Sequence, residues 1–220
     1  MKLDVKTLEI LKNFYSINPS LVVKEGNILT TISTNKTVLA KATVPDVFPK
    51  RFAMYNLGRF INSVTSYEEA ELTFNDKHLV IQDAAKGEQT ILSYGDEAGI
   101  RVPPEKQLVL SSVDASCKIT TANVRAVQKQ LGILNVPEIA VVGDGTNVYL
   151  QAVDSKEITS DVFSITIGTT DKTFRSIFKA ENIKLMPSNY DVDICSRGIS
   201  HFRGENIEYW IAVESNSTYN

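Results

Sequence analysis

The sequence predicts an α+β protein of two similar domains, rich in antiparallel sheet, with two helices in each. Three observations lead there. One order of elements (helix, strands, helix, strands) runs twice along the 220 residues. A stretch of different character, GDEAGIRVPPEK (Gly95–Lys106), separates the two runs. The strand-like segments alternate apolar and polar residues and are joined by turn sequences, as half-buried antiparallel strands are. Residues 1–94 then form the first domain, 95–106 a surface connecting loop and 107–220 the second domain, each of ordinary domain size.

The first element is an amphipathic helix, Lys2–Ile17, with Leu3, Leu8, Leu11, Phe14 and Tyr15 on or near one face and Asn18-Pro19 as its stop. Strand-like runs follow at Leu21–Lys24, Asn27–Ser33, Thr37–Val44 and Arg51–Tyr55. Asn56–Ser66 is a second helix, because Leu57, Phe60, Ile61 and Val64 recur at i, i+3, i+4 and i+7. Ala70–Asn75, His78–Gln82 and Gln89–Tyr94 close the unit as three strands. The connecting loop has two Gly, a Pro pair, five charges and no sustained period.

The second run opens with a strand at Leu108–Val113 and a helix at Thr120–Leu131, carrying Val124, Val127 and Leu131 on one face. Glu138–Val142 and Asn147–Val153 make a hairpin around Gly143-Asp144-Gly145-Thr146. Asp161–Ile167 alternates strictly. Thr173–Phe178 leads into a short helical turn, Lys179–Met186, which Pro187-Ser188-Asn189 stops. Tyr190–Cys195, Ile199–Arg203 and Ile207–Val213 finish as strands. The two halves share order and spacing, with little literal identity.

Composition narrows the classes. Apolar residues at 43% and charged residues at 22% are the balance of a soluble globular protein. No stretch approaches the ~18 to 20 apolar residues of a membrane helix. Met1-Lys2-Leu3-Asp4 lacks the sections of a signal peptide, so the protein is expected in the cytoplasm where it is made. Cys117 and Cys195 read as two buried free thiols of a reducing compartment, with a single disulfide as the other possibility. No Cys or His cluster has metal-ligand spacing, so neither metal nor cofactor is expected.

Charge is unevenly placed. The four predicted helical segments, Lys2–Tyr15, Asn56–Ser66, Lys118–Leu131 and Lys179–Met186, hold nine Lys or Arg against three acids, a net of +6. The remaining chain carries −9, which recovers the formal −3. Helix propensity and long solvated side chains favour Lys and Arg, but they favour Glu equally, and only two Glu occur on these segments. The distribution points to helices lining one surface that meets a polyanion. Without a base-reading motif, contact would be with phosphates and independent of sequence.

Several segments then match a known pattern. The N-terminal MKL…LKNF…IN, the central helix and turn, and the C-terminal run IKLMPSNYDVDI…FRGENIEYWIAVESNST resemble the sliding clamp of T-even-type bacteriophages. The order K-x-M-P-x-N-Y, a hairpin, an aromatic pair, then A-V-E-S and S-T is the most specific part. The resemblance implies the DNA-clamp fold, with three subunits closing head to tail into a homotrimeric ring. Helices would line the hole around duplex DNA, and sheets would form the outside. The ring would tether a replicative DNA polymerase, be opened by an ATP-driven clamp loader and contact the late-transcription machinery.

Carried over, the resemblance assigns Lys6, Lys12, Arg59, Arg125, Lys129 and Lys184 to the DNA-facing surface. Lys2, Lys118 and Lys179 join them at helix ends. Ring closure would pair the edge runs Gln89–Tyr94 and Asp161–Ile167, through Gln89, Ile91 and Ser93 on one side and Val162, Ser164 and Thr166 on the other. A partner-peptide pocket would use Ile100, Val102 and Pro103 of the loop with Trp210 and Ala212 of the last strand. For Trp210 the residues fit core and pocket equally, and Ile100 and Val102 also suit a role in pinning the loop.

Other features are weaker. Gly143-Asp144-Gly145 lacks the further glycine, Lys and helix of a phosphate loop and reads as a hairpin turn. His78 and His201 have no Ser or Cys neighbour in a family signature. Asp191 and Asp193 share one strand face, where two solvated acids are commoner than an acid–base pair. No enzyme is expected. Two alternatives stay open: a phage structural or assembly protein of tandem β-rich domains that binds only protein, and a small hydrolase in a two-domain cleft.

Overall fold

Asp4 starts the first helix, α1 (Val5–Ile17), by accepting a hydrogen bond from the Lys6 amide at 2.7 Å. That bond satisfies one of the donors a helix leaves open in its first turn. Thr7, Ile10, Leu11, Phe14 and Ile17 form its buried face. Asn18 ends it, with its amide bonded to the Phe14 carbonyl and its side chain donating to the Ile32 carbonyl at 2.9 Å. The structure is a computed structural model and describes residues 1–83, 85–106, 108–157 and 159–220. Gln107, where the sequence places the start of the second domain, lies outside the described residues. The chain divides into two compact units, Met1–Glu105 and Lys106–Asn220.

In the first unit α1 is followed by β1 (Leu21–Val23), β2 (Gly26–Ile32), β3 (Val38–Phe48) and β4 (Phe52–Met54). Then come α2 (Leu57–Thr65), β5 (Glu71–Phe74), β6 (His78–Asp83) and β7 (Glu88–Ser93). β1 pairs with β4, β2 with β3, and β5-β6-β7 form a meander, all antiparallel. Asn56 caps α2 through the Arg59 amide, and the Leu57 amide reaches back to the Pro19 carbonyl at 2.8 Å. That bond ties the start of α2 to the end of α1, and the two helices pack side by side. Phe48, Phe52, Phe74 and Tyr94 join the strands in one aromatic cluster, with neighbouring ring centroids 5.3 to 6.3 Å apart.

The second unit opens with β8 (Ala115–Ile119) and α3 (Thr121–Leu134), capped by Thr120 in a capping box with Asn123. β9 (Glu138–Asp144), β10 (Asn147–Val153), β11 (Phe163–Thr169) and β12 (Thr173–Lys179) follow, then β13 (Tyr190–Cys195), β14 (Ile199–Arg203), β15 (Ile207–Ala212) and β16 (Thr218–Tyr219). One sheet runs β11-β10-β9-β12-β16, and β8-β13-β14-β15 pair in that order. Asp144 accepts from the amides of Thr146 (2.8 Å) and Asn147 (2.7 Å), and these bonds hold its carboxyl below the usual range. Gly145 takes φ +88°, so the turn is the hairpin the sequence predicts. Val124 and Val127 of α3 pack over both sets of strands and, with Ile119, Ile139, Phe178 and Phe202, enclose a small apolar cavity.

Three expectations are corrected. The second domain has one α-helix, not two. Lys179 closes β12, and the predicted helix Lys179–Met186 is a single 3-10 turn, Ala180–Asn182. Beyond it Ile183 and Leu185 are buried two residues apart, an extended pattern. Pro187 disfavours helical geometry in the residue before it, which leaves no room for further turns. The predicted strand Leu108–Val113 is not a strand, and Leu108, Val109 and Val113 are exposed. Its place is taken by β8, whose Ala115 and Ile119 face the core. Lys118 therefore belongs to a strand rather than to a helix end.

Candidate nucleic-acid interface

The three α-helices carry Lys6, Lys12, Arg59, Arg125 and Lys129 against a single acid, Glu9, a net of +4. The rest of the chain then carries −7, which recovers the formal −3. All five cations are exposed, because each helix spends its apolar stripe on the core and leaves polar positions outward. Arg125 and Lys129 stand one turn apart on the outer face of α3.

In the first unit α1 and α2 enclose a shallow groove lined by Lys12 and Tyr15 from one helix and by Arg59, Asn62, Ser63 and Ser66 from the other. The spacing follows from the helix repeat: Lys12 and Tyr15 are three apart, as are Arg59 and Asn62, while Ser63 and Ser66 lie one and two turns beyond Arg59. None of the described residues lining it is acidic. The groove thus presents two cations and several neutral donors to whatever lies over it. Tyr15, Asn62, Ser63 and Ser66 are functional candidates that charge counting does not find, although their offsets from Lys12 and Arg59 mark them.

The other cations divide. Lys184 is half-buried beside α3, in a segment held by Gln128 donating to the Leu185 carbonyl at 3.1 Å. Lys2 precedes α1 and pairs with Glu69. Lys118 lies directly opposite Asp191 across the β8–β13 ladder, 3.5 Å from its carboxylate. Strand alternation points it away from Ile119 and hence from the side that α3 covers. On the same outer face Arg203 bonds Asp193 at 2.6 Å and Ser116 donates to it at 2.8 Å. Burial works to raise the Asp193 carboxyl, but these bonds outweigh it and hold it below the usual range. Asp191 and Asp193 are thus each paired with a cation. Cys117 and Cys195 are free thiols.

The connecting loop is fixed at its start. The Gly95 amide donates to the Ala53 carbonyl at 2.8 Å. Arg51 grips Glu97 with Nε at 2.8 Å from both oxygens and Nη2 at 2.6 Å from one. The Tyr55 ring lies against Gly95 and Gly99, where an added Cβ would come within 2.6 Å of it. Ile100 is buried against Val22 and Ala53. Of the expected pocket residues, Ile100 is thus an anchor, Val102 is exposed and Pro103 half-buried. Trp210 is buried and Ala212 half-buried.

The expected interface runs lie on terminal strands of their sheets among the described residues, β7 beside β6 and β11 beside β10. Gln89, Ile91 and Ser93 are exposed on β7; Ser164 and Thr166 are exposed on β11, with exposed Val162 one residue before it.

Similarity to known proteins runs the whole length. A family profile described as DNA polymerase processivity factor matches residues 2–97, and one described as gp45 sliding clamp, C terminal, matches residues 107–215. The sliding clamp of Vibrio phage KVP40 is 30% identical over 221 residues, covering 98% of this chain and 100% of that one. The sliding clamp of Enterobacteria phage T4 is 28% identical, covering 100% and 99%. A solved structure described as the C-terminal region of FEN-1 bound to A. fulgidus PCNA superposes with a TM-score of 0.72 at 12% identity, covering 99% of this chain and 98% of that one.

Proposed function

The chain belongs to the sliding clamp family, and from that premise we propose that it encircles duplex DNA and tethers the replicative polymerase to it as a processivity factor. In this reading it is an accessory protein of the host-cell cytoplasm that carries no chemistry of its own. The observation that carries it is the +4 of the helices, with all five cations exposed, on a chain whose remainder is −7. Exposed Lys and Arg attract the phosphates of any sequence, and the acidic remainder repels DNA elsewhere. Long, mobile side chains exchange phosphates without locking onto one, as a sliding contact requires.

Lys6, Lys12, Arg59, Arg125 and Lys129 are the proposed DNA contacts, with Lys184 beside α3. Lys118, paired with Asp191 on the opposite sheet side, is left out. Three copies would close head to tail, β7 of one pairing with β11 of the next, which covers backbone groups that a terminal strand otherwise leaves open. Val102 and Pro103 of the connecting loop would meet an apolar partner peptide. An ATP-driven loader would open the ring.

The test is retention on DNA after loading. A nicked circle should hold the protein through a high-salt wash, and linearising that circle should release it. Equal loss from both forms would remove encirclement.

A further inference from the structure

Tyr15 is an exception on α1. Its neighbours Leu11 and Phe14 are fully buried, yet Tyr15 is 46% exposed and stands in the groove beside Lys12 and Arg59. Its ring lies over Gly58, at the second position of α2. A Cβ at residue 58 would come 2.8 Å from Tyr15 Cζ and 3.0 Å from its hydroxyl. The ring therefore holds this position only because residue 58 has no side chain. Gly58 needs no special backbone angle here, since its φ is not positive; what it supplies is close approach. No described residue hydrogen-bonds the Tyr15 hydroxyl, so it stays available to the groove.

We propose that Tyr15 is a neutral hydrogen-bond donor to DNA phosphates and that Gly58 is the positioning residue that seats it. The inference rests on the clamp reading above. A phenol O–H bonded to a phosphate oxygen is a charge-assisted hydrogen bond, and tyrosine is among the side chains that contact phosphates. It differs from Lys12 and Arg59 in kind. Each cation that neutralises a phosphate releases a counterion, so its contribution falls steeply with salt. A neutral donor releases none. Tyr15 therefore keeps one contact at salt concentrations that weaken the lysines.

The test is a salt series of equilibrium binding to a short blunt duplex, measured by fluorescence anisotropy on the assembled protein. Tyr15→Phe should weaken binding by about two- to tenfold for each copy whose hydroxyl meets a phosphate, the range for one net hydrogen bond, with the slope of log K against log salt unchanged. Lys12→Ala should lower that slope by about 0.9 for each copy whose Lys12 meets a phosphate. Gly58→Ala should imitate Tyr15→Phe by displacing the ring, while its melting temperature holds or rises, because Ala favours a helix over Gly. If Lys12→Ala behaves as stated and Tyr15→Phe binds like the parent at every salt concentration, the hydroxyl contact is wrong and the DNA reading stands. If the parent itself shows no salt-dependent binding, both are wrong.

Discussion

At the scale of single residues, the most telling pair is one that no sequence pattern announces. The His201 imidazole lies flat on the Trp210 indole, centroids 4.3 Å apart and planes at 11°. Its Nε2 is 2.8 Å from Glu208, and Arg203 approaches Nδ1 at 3.5 Å. Burial holds the imidazole below its ordinary 6.5, against the opposing pull of Glu208, with Arg203 lowering and Asp193 raising it. A histidine whose folded pKa is depressed binds fewer protons than the unfolded chain does between the two values. Its neutral form thus stabilises the fold fully above about 6.5, and that contribution falls away as pH drops towards the lowered value. Trp210 is the only tryptophan, so its fluorescence reports on the stack. The signal should titrate with a midpoint below 6.5 and lose that step in His201→Gln. A midpoint above 6.5 would mean that Glu208 and cation–π attraction outweigh burial. From sequence, Trp210 fits core and pocket equally, because its partner is nine residues away and meets it only through the β14–β15 register.

At the scale of elements, the sequence is legible where cap, period and turn lie close together. α1, α2, α3 and the β9–β10 hairpin each carry their cap, period or turn within a dozen residues, and the structure has them with shifts of a few residues. β8 and the segment after β12 are different. Ile119 and Leu185 are apolar in either conformation, and the choice is made by elements distant in sequence, β13 for the first and the α3 surface for the second. The grip of Arg51 on Glu97 is another long-range device, and it fixes the start of the connecting loop. Arg51 holds the Glu97 carboxyl below the usual range. The stabilisation is therefore present above the ordinary carboxylate value and is lost as pH falls through the lowered one. Amide exchange at Gly99 and Ile100, corrected for the intrinsic rate, should speed up in Arg51→Ala by no more than about fivefold, since the pair is half-exposed. In the parent the same loosening should appear on acidification, and Glu97→Gln should show it already at neutral pH. Gly99→Ala, which displaces the Tyr55 ring, should loosen the loop at every pH.

At the scale of the whole molecule, the formal −3 conceals two populations of charge, and the separation survives the loss of a predicted helix. Replacing the four predicted segments with the three observed helices changes +6 to +4 and −9 to −7. Lys2, Lys118, Lys179 and Lys184 drop out of the helical count, and so do Asp4 and Glu181. A charge pattern that tolerates such errors belongs to the surface rather than to one element. A surface that acts on duplex DNA by encirclement also needs a seam, and β7 is the strand proposed for one side of it. Ile91 is 57% exposed at the middle of that strand, so it contributes little to the fold of one subunit. Pairing β7 with β11 of another copy would bury it. Ile91→Asp should then leave the melting temperature of the subunit within a few degrees of the parent, because a surface substitution costs little. The same change should reduce the mass by light scattering from about three times 24.4 kDa to that of a single subunit, since an unpaired charge in a buried seam is costly. A mass that stays at three subunits would place the seam on another strand. A parent that is monomeric at every concentration would make ring closure the work of the loader, with the +4 of the helices as its remaining warrant for DNA.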